Sequence, residues 1–297
     1  MTAERPVVVG VSLNAESGYV LDKVVGLAGD PKHVIAVHAI ERSVMTFDEE
    51  DAPTIETLYQ HLEEDARSRL ASLCESRGIT DHRVLHGNPV HILHEVGEAN
   101  NALVLAVGSH GREGWQALLG ETAEGALRDT RNSVLAILVR NIGDEPVLTY
   151  NRVLIAVDLS EESAAVVDGA ARVRDMFGAE LTLMSCIKPV AHYTTALDET
   201  SILGNTYATY LSEAEEQYQE RLTELANQYN IEDVIIRHGY PAAEIHDTAA
   251  CLKADLVALG THGTHGPALL LGSTPNAVLH GMKCDVLAVR VGRTSRK

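Results

Sequence analysis

Aromatic side chains are scarce: Trp, Tyr and Phe make up 4% of the 297 residues, with one Trp. A surface that stacks bases on aromatic faces is therefore not expected. Basic residues are also few, 24 Lys and Arg against 42 Asp and Glu, for a net charge of −18. Nucleic-acid binding relies on Lys and Arg to neutralise phosphates, so no nucleic-acid partner is expected. The acid excess suits solvated helix faces and solubility instead. The four cysteines, Cys74, Cys186, Cys251 and Cys284, stand singly without CxxC spacing. That excludes a paired-thiol zinc site or a disulfide framework and fits a reducing cytosol. No apolar run reaches the ~18 residues that a membrane span needs. The N-terminus lacks the basic segment and apolar stretch of a secretory signal. A cytoplasmic protein without a membrane partner is the expectation. Walker A, HExxH and Ser-His-Asp patterns are missing too, so no enzyme is expected.

What is present is a repeat. His86-Gly-Asn-Pro89 matches His238-Gly-Tyr-Pro241, Val104 to Gly111 matches Leu256 to Gly263, and Ser133 to Ile137 matches Asp285 to Val289, each at an offset of 152 residues. Earlier, Val8 to Ser12 matches Leu154 to Asp158 at an offset of 146. An insertion of about six residues in the second copy, placed around Pro189 to Asn205, reconciles the two offsets. Two long copies mean a duplicated domain rather than a solenoid. Residues 1–143 form the first unit and 147–297 the second, joined by the polar Asn141-Ile-Gly-Asp-Glu-Pro146.

Short apolar runs without alternation read as buried parallel strands. They fall at 6–12, 33–40, 82–86, 102–107 and 133–139, then at 151–157, 180–187, 233–238, 255–260 and 285–291. Helices are expected at 15–29, 54–77, 89–100 and 121–130, then at 160–177, 206–229, 241–252 and 273–281. The stripe Tyr207, Leu211, Tyr218, Leu222, Leu225 and Tyr229 marks the buried face of the longest of these. Alternating strands and helices predict an α/β fold: two tandem Rossmann-like domains, each a parallel sheet with helices on both faces. Ligands in such sheets bind beyond the carboxyl ends of the strands. The apolar final strands need covered edges, so Val134 to Ile137 and Val286 to Val289 are expected to pair in an intrachain pseudo-dimer, with a homodimer of chains as a further step.

The chemistry concentrates after the strand at 255–260. Gly260-Thr-His-Gly263 opens a glycine-rich loop that closes at Gly272-Ser-Thr-Pro275, where a helix starts. Such a loop brings backbone N–H groups to a phosphate, and the helix dipole adds partial positive charge. His262 and His265 lack an evident third ligand, and His91 and His94 sit at helical spacing. All four are read as ordinary loop or helix histidines, and no metal site is expected.

Gly260, Gly263, Gly272 and Ser273 resemble the phosphate-binding signature of the universal stress protein family: Gly, two residues, Gly, about nine residues, Gly, then Ser or Thr. Arg152 to Ser163 is similar to that family's first strand and turn, and Cys284 to Arg290 to its last strand. The resemblance covers nearly the whole chain as two copies. It implies five-stranded sheets of order 3-2-1-4-5 and a stress-response protein that binds ATP, with or without Mg²⁺, or a related adenine nucleotide. It further implies that Asp158 meets the adenine or ribose, that Cys186 lies against adenine through its backbone, and that Gly260, Gly263, Gly272, Ser273 and Thr274 hold the phosphates.

Two departures qualify this. Only eight residues separate Gly263 from Gly272, and Gly111 from Gly120. The family's A branch, which the start of the second copy resembles, has altered loops associated with loss of ATP binding. A nucleotide-free scaffold is therefore the alternative. The first copy departs further, with Ser12 in place of Asp158 and Glu121 in place of Ser273. A carboxylate at a helix start takes the electrostatic place of a phosphate and repels one. The first copy is accordingly expected to bind nucleotide weakly or not at all.

Overall fold

Every apolar run assigned to a strand becomes one. The first unit contributes β1 (Val7–Gly10), β2 (Val34–Ile40), β3 (Asp81–His86), β4 (Val104–His110) and β5 (Ser133–Val139), and the second β6 (Arg152–Val157), β7 (Glu180–Ile187), β8 (Asp233–His238), β9 (Leu256–Gly260) and β10 (Asp285–Val289). The helices between them are α1 (Ser17–Ala28), α2 (Ala52–Glu75), α3 (Pro89–Ala99), α4 (Ser163–Phe177), α5 (Ile202–Gln228), α6 (Pro241–Leu252) and α7 (Ser273–Leu279). This computed structural model describes residues 5–41, 52–110, 132–139, 148–188, 202–261 and 273–291. The expected helix at 121–130, the linker and most of the inserted segment lie outside the described residues. The insertion does reach the start of α5, which runs from Ile202 rather than 206, and α2 likewise starts two residues early.

The strands form one ten-stranded sheet of order β3-β2-β1-β4-β5-β10-β9-β6-β7-β8. Each half is parallel in the order 3-2-1-4-5, and the halves join where β10 runs antiparallel to β5, with Val286 opposite Ala136 and Ala288 opposite Val134. The sheet is thus parallel within each half and mixed as a whole. The central strands read as continuous apolar runs because helices cover both faces; all five residues of β10 are buried. The outer strands β3 and β8 carry polar residues and are largely half-buried or exposed. That composition blunts a free edge.

On one face, α1, α2, α4 and α5 bury a single apolar core that spans both halves, from Leu21 and Leu70 to Val167 and Leu222. On the other, α3, α6 and α7 cover a second core built on Leu93, Val96, Ile245 and Leu279. No helix among the described residues is long and apolar enough to cross a membrane.

The join carries buried polar groups. Lys23 on α1 reaches Asp285 across the junction at 2.8 Å, with both side chains buried. Asp285 also accepts hydrogen bonds from the Tyr150 hydroxyl at 2.7 Å and the Leu138 amide at 3.0 Å. Tyr150 is fully buried, with the Lys23 ammonium 4.9 Å from its ring centroid and Phe177 edge-on at 5.6 Å. A charge removed from water needs such partners to persist.

Candidate functional site

In the order β7-β6-β9 the chain reverses direction of travel across the sheet, and the carboxyl ends of β6 and β9 diverge there. A cleft of about 390 Å³ opens at that point. Asp158 enters it from the end of β6, Cys186 from the end of β7, Gly260 from the end of β9, and Ser273 and Thr274 from the start of α7. The structure therefore gathers five of the seven residues expected from sequence. Gly263 and Gly272, with the rest of the glycine loop and both its histidines, lie outside the described residues.

Asp158 is aimed by a strained turn. The next residue, Leu159, has φ of 55°, in the left-handed region that branched and bulky side chains avoid. The same feature recurs at Leu13 in the first half, also with φ of 55°. Each strained carbonyl is held by an arginine from the long helix, Leu159 by Arg221 at 2.6 Å and Leu13 by Arg69. Within the turn, Asp158 Oδ1 accepts from the Ser160 amide at 3.1 Å and the Ser163 hydroxyl at 3.5 Å. Residue Glu162, which makes no side-chain cap, precedes α4 directly. Asp158 thus fixes the loop between strand and helix rather than capping the helix.

Several lining residues escape a reading by sequence. Tyr218 projects from α5, and its hydroxyl lies 3.0 Å from Ser185 Oγ, which in turn donates to the Val157 carbonyl at 2.6 Å. Its place on the apolar stripe made it look like core alone. Lys188, just beyond β7, supplies a cation, while Met184, Ile245 and Val291 add apolar wall. No pattern in the sequence marks these, since they converge from elements far apart in the chain. Burial pushes the Tyr218 hydroxyl above its ordinary pKa. Burial, and then the charge of Glu244, push the Cys186 thiol up as well. The thiol donates to the Gly239 carbonyl at 3.3 Å and is protonated at neutral pH, which makes it a poor nucleophile. Among the described residues no group of His, Cys, Asp and Glu could hold a metal ion.

In the first half, the described part of the equivalent place carries only small openings beside the end of β1. A crevice of about 10 Å³ lies beside Gly10, Ser12, Asn14 and Gly108. A Cβ on Gly108, the counterpart of Gly260, would come 2.8 Å from Val20. Glu121 lies outside the described residues.

Comparison with known proteins agrees with this duplicated architecture. The model of the universal stress protein family matches twice in tandem, over residues 4–137 and 149–290. Universal stress protein A homolog 2 of Coxiella burnetii is 36% identical over 145 residues, 48% of this chain and 96% of the relative. A universal stress protein of Mycobacterium tuberculosis is 30% identical over 196 residues, 60% of this chain and 62% of the relative. Among solved structures, a universal stress protein from Archaeoglobus fulgidus superposes with a TM-score of 0.67 at 21% identity, covering 98% of this chain and 97% of its own, so the likeness is one of fold. With both halves matched, the chain belongs to the universal stress protein family.

Proposed function

We propose that the second unit, 147–297, is a binding module for ATP or a related adenine nucleotide, and that the first unit, 1–143, has lost this role. The observation that carries the reading is the cleft itself. It lies at the carboxyl ends of the strands where strand order reverses, the place at which open α/β sheets take ligands. Its volume of about 390 Å³ suits a small molecule. A carboxylate at Asp158 accepts from ribose hydroxyls or the exocyclic amine. Met184, Ile245 and Val291 offer apolar wall to the base, and Lys188, Ser273 and Thr274 offer donors to the phosphates. Gly260 lets the backbone come close. We further propose binding without turnover, in the cytoplasm.

The test is calorimetric titration of the whole chain with Mg·ATP, together with chromatography of nucleotide released on denaturation. One equivalent is expected. Asp158→Ala should weaken it at least tenfold. Ser273→Glu, which installs the side chain that the first copy carries at Glu121, should abolish it. The eight-residue spacer between Gly263 and Gly272 favours a second reading, a nucleotide-free interaction scaffold. No released nucleotide, no heat and no thermal shift with Mg·ATP would establish that reading instead.

A further inference from the structure

The fused halves are related by an approximate two-fold axis at the β5–β10 join, so each structural position at the join occurs twice. One of the two crevices so formed is filled from within by Lys23, Asp285 and Tyr150. Its twin is not. Gly169 stands at the position of Lys23 and Ser133 at that of Asp285. Ser133 Oγ accepts from the Arg290 amide at 3.1 Å, in the way that Asp285 accepts from the Leu138 amide. The result is a cleft of about 310 Å³ between α4, the amino-terminal ends of β4 and β5, and the end of β10.

Three arginines line it: Arg5, Arg172 and Arg290. Their counterparts in the filled crevice are Asn151, Gly26 and Leu138, so none of the three cations is repeated there. This concentration of positive charge stands out in a chain of net charge −18. Arg5 is fixed in place, its Nε donating to the Asn101 carbonyl at 2.8 Å and its Nη2 to that of Ala102 at 2.7 Å. Those two bonds leave other donors of the guanidinium fork unassigned to them. Among the described lining residues Asp168 is the one carboxylate, four residues before Arg172 on α4, and the nearby Tyr229 hydroxyl donates to the Ala164 carbonyl at 3.3 Å. Leu27, Val173, Met176 and Val289 make the apolar part of the wall. Gly169 is itself required there, since a Cβ would come 2.8 Å from Val289. The close helix approach therefore brings Arg172 to the cleft while leaving no side chain to fill it.

We propose that this interdomain cleft is a second ligand site, for a small organic oxyanion, phosphate or carboxylate, carried on an apolar body. Guanidinium forks match both oxyanions with paired hydrogen bonds, and the mixed lining suits a ligand with one charged end. The site shares no lining residue with the cleft at Asp158, and the inference does not rest on nucleotide binding.

The experiment titrates the full chain with phenyl phosphate, benzoate and phenol, following side-chain methyl resonances. Leu27, Val173 and Met176 report this cleft, and Met184 and Ile245 report the other. Shifts at the first set with phenyl phosphate or benzoate, but not with phenol, are expected, and the preferred acid identifies the oxyanion. Arg172→Ala, an exposed helix position, should weaken that binding at least tenfold, with the methyl spectrum otherwise unchanged. Shifts confined to Met184 and Ile245, no shift with either acid, equal binding of phenol, or unchanged affinity in Arg172→Ala would each overturn the proposal.

Discussion

Single residues at the join do unequal work. Asp285 receives an ammonium, a phenol and an amide, whereas Lys23 meets one carboxylate and a ring. Asp285→Ala should therefore cost more than Lys23→Met, with the loss of a buried partner worth about 3–5 kcal/mol; urea unfolding of the two variants gives the comparison. Nothing in the sequence announces this trio, because Lys23 reads as a helix-face charge and Tyr150 as the residue after a linker. Asp158 was singled out through the family resemblance, since a carboxylate at the end of a strand also reads as a helix cap, whereas Lys188 and Tyr218 become visible only once three elements are brought together. The cysteines also divide by environment. Cys251 is exposed and should alkylate first under native conditions, while Cys74 is buried and its thiol is pushed up to about 11. A raised thiol stabilises the fold below the unfolded value of 9.0 and ceases to as pH climbs towards 11. Thermal unfolding should accordingly show stability falling across that window, less steeply in Cys74→Val.

At the level of elements, the most informative device is the left-handed leucine pinned by a distant arginine. A non-glycine residue in that region costs on the order of 1–3 kcal/mol and persists only where its surroundings enforce it. Removing the clamp with Arg221→Ala should loosen the turn that carries Asp158. The expected outcome is a stability loss of about 1–2 kcal/mol, with weaker Mg·ATP binding and little change at the twin turn held by Arg69. Packing of α3 on the sheet gives a further check, since a Cβ on Gly97 would meet Leu105 at 2.5 Å. Gly97→Ala should cost about 1–3 kcal/mol through overpacking, read by chemical denaturation. Strand positions were legible because buried parallel strands are short and apolar. The starts of α2 and α5 were not, because Pro53 near the start of one and Gly204-Asn-Thr just inside the other read as loop residues.

At the level of the molecule, the two halves share one core per sheet face and one continuous ladder, so unfolding should be a single transition by calorimetry. The Leu138 amide points towards β10, and amides two residues apart on a strand point the same way, so that of Ala136 does too. Ala136→Pro removes that donor from a central strand and should lower the midpoint and split the transition in two. Pairing of the final strands could be anticipated from their apolar ends, which need cover. The interdomain cleft could not, because it is a gap defined by Gly169 and Ser133, and small residues leave no mark in a hydropathy pattern. Fusion has a consequence here that reaches past stability. When two identical subunits meet across a two-fold axis, any substitution at the contact enters both crevices together. A covalent tandem lifts that constraint, so one crevice of this chain could become a sealed rivet and its twin an open, cationic recess.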